Sequence, residues 1–140
     1  MKNFRAFKTI EEGLTELNKR VKIAHSIPLE HQQLTLMPYL GTAEIVSYQT
    51  NELIALCPLT LYPDFYSLEI NYIPNKKLPE LKSLKFYLMD YKNLAIGHEH
   101  LADRIYRDFK AQVKPLGMHL ILKSSVRGGI TTTVEKGGIS

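Results

Sequence analysis

Between Tyr66 and Ile73 every second side chain is apolar: Leu68, Ile70 and Tyr72 fall on one face and Ser67, Glu69 and Asn71 on the other. Successive side chains of a strand point to opposite sides, so this spacing predicts a strand with one face buried and one wet. Such a strand needs a second layer to cover it. The sequence supplies one over residues 98–113, where Leu101, Ile105, Phe109 and Val113 recur every four residues, as on a helix with a single apolar stripe.

The remaining segments fit around this pair. Thr9 followed by Glu12 reads as a capping box, and Leu14, Leu17 and Val21 continue at helical spacing, predicting a helix over 10–24. Residues 26–39, with Pro28 and Pro38, read as a connector. Residues 43–49 and 53–57 have strand composition and run into Pro58, Pro63 and Asp64, which break regular structure. Pro74, Asn75 and Pro79 bound a turn before a helix over 80–92 marked by Leu81, Leu84, Leu88 and Tyr91. Pro115 and Gly117 end the second helix. Alternation over 118–124, a tight turn at 127–129 and the Thr- and Val-rich run 130–135 form a closing hairpin. The order ββααββ predicts an α+β domain with an antiparallel sheet and two helices on one face. Residues 1–50 form an N-terminal helix and connecting segment, and residues 51–140 the core of one structural domain.

Composition narrows the function classes. With 44% hydrophobic residues and no apolar run of spanning length, the chain is not expected in a membrane. Residues 1–8 lack the apolar core and cleavage signature of a secretory signal, so the expected location is cytoplasmic. The single cysteine excludes an internal disulfide and a multi-cysteine metal cage, and fits a reducing compartment. The net charge of +4 is spread among interspersed acids. Cofactor phosphates satisfy it as readily as a nucleic acid does, and direct nucleic-acid binding is not expected.

Few residues stand out for chemistry. A lone cysteine at a strand end is more often a small buried hydrophobe than a nucleophile. Around Cys57, however, Pro58, Pro63 and Asp64 make a rigid turn able to return a carboxylate toward the sulfur, and a partner that takes its proton activates a thiol. His98, Glu99 and His100 open a helix after Gly97. They read either as a helix-terminal charge or as a recognition group whose carboxylate accepts two N–H bonds from a guanine-like edge. Zinc is disfavoured, because no HxxxH spacing occurs. Lys82 and Lys85 share a helix face, which is either a solvated surface or an anion site. Arg127, Gly128 and Gly129 suit a hairpin turn and equally a phosphate contact.

Taken in order, these residues resemble one family. Leu56-Cys57-Pro58, Thr60, Pro63-Asp64-Phe65, Tyr72-Ile73-Pro74, Glu80-Leu81-Lys82-Ser83-Leu84-Lys85-Phe86-Tyr87-Leu88, His98-Glu99 and Arg127-Gly128-Gly129-Ile130 are similar to the motifs of the 7-cyano-7-deazaguanine reductases of queuosine biosynthesis, the QueF family. The resemblance spans about residues 51–133. It implies the tunnelling fold, whose subunits close a ring-shaped barrel, and a homo-oligomer expected to be a decamer of two stacked pentamers with the active site between subunits.

The resemblance also implies roles. Cys57 would attack the nitrile carbon of 7-cyano-7-deazaguanine to give a covalent thioimide, with Asp64 as general acid. Pro79, Glu80, Leu81, His98 and Glu99 would hold the deazaguanine. Lys82, Ser83, Lys85, Arg127 and Gly128 would contact NADPH, two molecules of which reduce the nitrile to the aminomethyl product. No metal site is implied. Four positions depart from the usual pattern: Leu61 where many members carry Gly, Leu81 in place of Ser, Phe86 in place of Leu or Tyr, and His100 in place of Asp. Two rivals share the fold. An amidine-forming branch, acting on the nitrile base within tRNA, lacks the lysine-bearing helix motif, and a zinc-dependent pterin-type enzyme needs a metal cage that these histidines do not offer.

Overall fold

The computed structural model describes residues 9–139; the stretch 1–8, read above for a targeting signal, lies outside the described residues. Helix α1 (Ile10–Ser26) begins where expected, with the Thr9 hydroxyl accepting the Glu12 amide at 3.0 Å and Glu11 and Glu12 in the first turn, where the helix dipole favours negative charge. Its buried face follows the Leu14, Leu17 and Val21 stripe only in part, Leu17 and Val21 being half-buried. Leu14 is exposed, and Gly13, Arg20 and Ala24 are buried instead. The two stripes share a period and differ in phase. Arg20 turns inward because backbone carbonyls of another segment receive its guanidinium, which compensates the burial of a charge.

The main sheet has the order β2-β3-β5-β6, with every neighbour antiparallel, and comprises β2 (Val46–Leu56), β3 (Pro63–Ile73), β5 (Gly117–Ser124) and β6 (Thr133–Gly138). Two short strands, β1 (Leu36–Pro38) and β4 (Lys77–Pro79), pair as a separate ladder. Both were expected to be loop, since three residues flanked by proline carry no readable period. Strand β2 was expected as two pieces. It is continuous, with an irregular register between Thr50 and Leu53 typical of a bulge, and the expected seam at residue 51 falls inside it. Pro63 and Asp64 do not break β3 but begin it, a position where the missing amide of proline is tolerated.

Helix α2 (Leu81–Met89) hands over to a 3-10 turn at Asp90–Asn93, and α3 (His98–Val113) follows. The main sheet with α2 and α3 thus keeps the order ββααββ, and α1, β1 and β4 are added to it. Helix α3 lies over β5 and β6, and α2 with its 3-10 turn lies beside β2. Leu68, Ile70 and Tyr72 meet Leu101, Ile105 and Phe109 in the core, the Tyr72 and Phe109 rings edge-on at 5.1 Å. Each fully buried side chain of this kind stabilises the fold by about 1.5–3 kcal/mol. Strand β6 starts three residues later than expected, because Ile130 closes the turn with Arg127 through two backbone bonds of 2.9 and 3.0 Å. Gly128 and Gly129 have φ of +58° and +80°, the pair of left-handed conformations a two-residue hairpin turn requires. Among the described residues no helix is long and apolar enough to cross a membrane.

Candidate functional site

The end of β2 is held on two sides. On one, Ala55 pairs with Asp64 and Leu56 with Pro63 across the sheet. On the other, the Leu56 amide donates to the Leu94 carbonyl at 2.9 Å and the Ile96 amide to the Leu56 carbonyl at 3.0 Å, a short parallel pairing. That second contact fixes the approach to α3, so its first residues, His98 and Glu99, start next to the chain that leaves β2. Cys57 is the first residue beyond the strand, a free, half-buried thiol.

The loop carrying it is tight. The Cys57 amide donates to the Tyr62 carbonyl and the Leu61 amide to the Cys57 carbonyl, both at 2.8 Å. Leu61 has φ +62°, a left-handed conformation that costs a non-glycine residue about 1–2 kcal/mol.

Tyr66 lies at the centre of this end of the sheet. It is 2% exposed, and its hydroxyl sits 2.8 Å from His98 Nδ1 with the two rings edge-on at 5.3 Å. Its ionisation is pushed well above the ordinary tyrosine value, first by burial and then by the acidic groups of Asp64, Cys57 and Glu99, against the pull of Arg127. The pairing of Ala55 with Asp64 and the bonds from Leu56 to Leu94 and Ile96 bring Cys57, Asp64 and His98 to the end of the sheet where Tyr66 meets His98. The sequence reading missed Tyr66. The available signal was a tyrosine in phase with the buried Leu68 and Ile70, whose hydroxyl needs a polar partner.

Arg127 belongs to this cluster, although a cofactor contact was expected of it. Its guanidinium pairs with the buried Asp64 carboxylate and donates to the Pro63 carbonyl. Gly128, beside it, is exposed in the hairpin turn.

The remaining candidates lie along α2. The Glu80 carboxylate accepts the Lys82 amide at 2.7 Å and the Ser83 amide at 2.8 Å, forming the N-cap of the helix. Pro79 is buried in the pairing with Leu36, and the Ser83 hydroxyl accepts the Thr35 amide at 3.0 Å. Leu81, Lys82 and Lys85 are exposed. Leu81, Lys85 and Lys92 edge an open groove of about 740 Å³ whose floor includes Tyr48, Leu53, Leu68 and Leu84. Among the described residues lining it are none of Cys57, Asp64, His98 or Glu99. Within one chain the candidates thus form two groups, one at the end of β2 and one along α2.

One further cluster, Glu30, His31 and Asp90, brings possible metal-ligating atoms within 4.8 Å of one another. Asp90 spends both carboxylate oxygens on the His31 amide and ring, at 2.6 and 2.8 Å.

This α+β arrangement of an antiparallel four-stranded sheet with α2 and α3 defines a fold found in a crystal structure of the archaeosine synthase QueF-Like in the apo form. The TM-score is 0.65 at 24% identity, over 71% of this chain and 100% of that one. The chain belongs to the QueF-like protein family, whose family model matches residues 63–138. Relatives named NADPH-dependent 7-cyano-7-deazaguanine reductase include that of Thermoanaerobacter pseudethanolicus, 48% identical over 90 residues, covering 64% of this chain and 68% of the relative. That of Syntrophus aciditrophicus is 44% identical over 91 residues, covering 65% of each. That of Chlorobium chlorochromatii is 39% identical over 94 residues, covering 67% of this chain and 78% of the relative.

Proposed function

We propose that the protein is an NADPH-dependent nitrile reductase that converts 7-cyano-7-deazaguanine to its aminomethyl form. The observation that carries this reading is the placement of the sole cysteine directly after a strand end that pairs with Asp64 on one side and with the approach to His98 and Glu99 on the other, His98 being hydrogen-bonded to Tyr66, in a chain whose relatives bear that enzyme's name. In the proposed reaction the Cys57 sulfur bonds to the nitrile carbon while Asp64 moves a proton to the nitrile nitrogen. Thiol and nitrile then become a thioimide with no atom gained or lost, and one difficult reduction is divided into accessible steps. Arg127, which holds Asp64, fixes where that carboxyl sits.

Glu99 is exposed at the start of α3, where its carboxylate accepts N–H groups of the base. His98 presents the ring edge left free by Tyr66. A base read through hydrogen bonds is discriminated strongly, because an analogue leaves buried polar groups unpaired. The exposed Lys82 and Lys85 on one face of α2 fit the phosphates of a dinucleotide as point charges. NADPH held there would supply hydride, one from each of two molecules used in turn, which together account for the four electrons between nitrile and amine.

The separation of the two candidate groups within one chain supports a homo-oligomer in which the α2 group of one subunit, Pro79, Glu80 and Leu81 included, completes the Cys57 group of its neighbour. The outer strands β6 and, before its end at Leu56 pairs with Ala95, β2 offer edges through which a sheet extends into a ring, and a decamer of two pentamers is the proposed form.

Mass spectrometry tests the chemistry directly. Protein mixed with the nitrile base and no NADPH gains the mass of the base at residue 57, and NADPH absorbance falls once cofactor is added. Cys57→Ala loses the adduct and on the order of a thousandfold or more in turnover, while noncovalent binding of the base persists. Steady NADPH absorbance together with amidine formation on nitrile-bearing tRNA would transfer the assignment to the amidine-forming branch.

A further inference from the structure

Resting on the reading of Cys57 as the nucleophile, we propose that Arg20 of α1 is a positioning residue for the reaction, and that α1 serves to clamp the loop on which the sulfur is carried. Arg20 is 1% exposed. Its Nη1 donates to the Pro58 carbonyl at 2.6 Å and lies 3.5 Å from the Leu59 carbonyl, so it grips the two residues that follow Cys57. Glu16, one turn earlier on the same helix, faces the Arg20 Nε at 3.5 Å and orients the guanidinium from behind.

A buried guanidinium is costly unless charge and hydrogen bonds offset its desolvation. Here the offset is spent on the backbone next to the sulfur. The α1 helix has a second buried anchor, in which Arg104 of α3 donates to the Ala24 carbonyl at 2.8 Å and also to that of Ile27. That anchor ties the helix to α3, while Arg20 ties it to the reactive loop. The loop needs holding, because Leu61 within it is in a left-handed conformation that an unrestrained leucine leaves readily. A chain that must keep a sulfur within attack distance of a carbon loses rate steeply with small displacements.

The test compares Arg20→Met and Arg20→Lys with Arg104→Met, which loosens α1 without touching the loop. In the full-length protein, Arg20→Met lowers kcat and the single-turnover rate of adduct formation on Cys57 by roughly 10- to 100-fold, with KM for the nitrile base within about twofold of the parent. Arg20→Lys, whose ammonium replaces a planar fork by one point charge, loses about three- to tenfold. Arg104→Met keeps kcat within about twofold at a temperature where all the variants are folded. Parental kcat in Arg20→Met, or an equal loss in Arg104→Met, would overturn the proposal. Should Arg20→Met not fold, Arg20→Lys decides: a three- to tenfold loss of kcat supports the clamp, and less than about twofold overturns it. If the parent protein itself forms no adduct with the nitrile base, it is the assigned function that fails, not the clamp.

Discussion

At the end of β2 the Cys57 loop, Asp64 and His98 are each held by a residue far away in the sequence, whereas along α2 most candidates are held by their neighbours. Arg20 grips the Cys57 loop, Arg127 the Asp64 carboxylate and Tyr66 the His98 ring. On α2, Glu80 caps the amides of Lys82 and Ser83, and the Lys82 ammonium lies over the Phe86 ring at 5.8 Å. The first group is cross-tied, with Asp64 buried and Cys57 and His98 half-buried; the lysines of the second are exposed and presented. The contrast follows the demands of the chemistry assigned to each. Bond formation tolerates little misplacement and calls for preorganised groups, while phosphates are attracted by flexible point charges that need only be near.

The sharpest way to break this comparison is to remove the presented charges alone. Lys82→Ala combined with Lys85→Ala should raise KM for NADPH on the order of tenfold, equivalent to about 1.4 kcal/mol, and leave kcat and adduct formation at Cys57 within about twofold. The KM effect should shrink as salt rises, because exposed charges are screened. A fall in kcat at unchanged KM, in steady-state assays at two ionic strengths, would place α2 among the reacting groups and end the distinction.

Mixing the two defects asks whether the halves meet across subunits. In oligomers co-expressed from equal amounts of Cys57→Ala chains and chains with both lysines replaced, half of all sites have the sulfur. Half of those meet a neighbour with its lysines, so roughly a quarter of sites are complete if subunits assort at random. Activity at NADPH well below the parental KM should therefore be about a quarter of the parent's. If sulfur and lysines act within one chain, mixing creates no complete site, and activity stays at the average of the two separate variants.

The same contrast governs how much could be read from the sequence. Period-two and period-3.6 patterns report local burial, and they placed β3 and α3 closely, along with the start of α1 and the turn at Gly128 and Gly129. The α2 candidates were also legible, because a cap and two lysines three apart are local facts. Long-range ties were not. Nothing near Arg20 in the chain marks it as inward-facing, and a stripe shifted by one residue has the same period. Arg127 read as a turn residue or a cofactor contact, because its partner Asp64 is adjacent only through the β3–β5 pairing. Tyr66 was in phase with the core, but a buried hydroxyl acquires meaning only once His98 is brought to it by the pairing of Leu56 with Ala95. Strands β1 and β4 escaped notice for the same reason, since each exists only through its partner.

The smallest expected effect lies in the loop that the cross-ties hold. Leu61 at φ +62° carries about 1–2 kcal/mol of backbone strain. Glycine would remove it, yet would add about 0.5–1 kcal/mol of conformational entropy to be lost on folding. From the backbone alone Leu61→Gly gains about 0–1.5 kcal/mol, offset by the packing of the partly buried side chain it gives up, so its Tm should lie within a few degrees of the parent's. Leu61→Ala separates backbone from side chain, because alanine keeps most of the strain and gives up the packing of a partly buried leucine, so its Tm should lie below the parent's. A Tm for glycine above that for alanine would identify strain at this position as the cost of the loop. If alanine matched glycine, the left-handed backbone would not be what limits stability there, and the grip of Arg20 on the neighbouring carbonyls would have little strain to oppose.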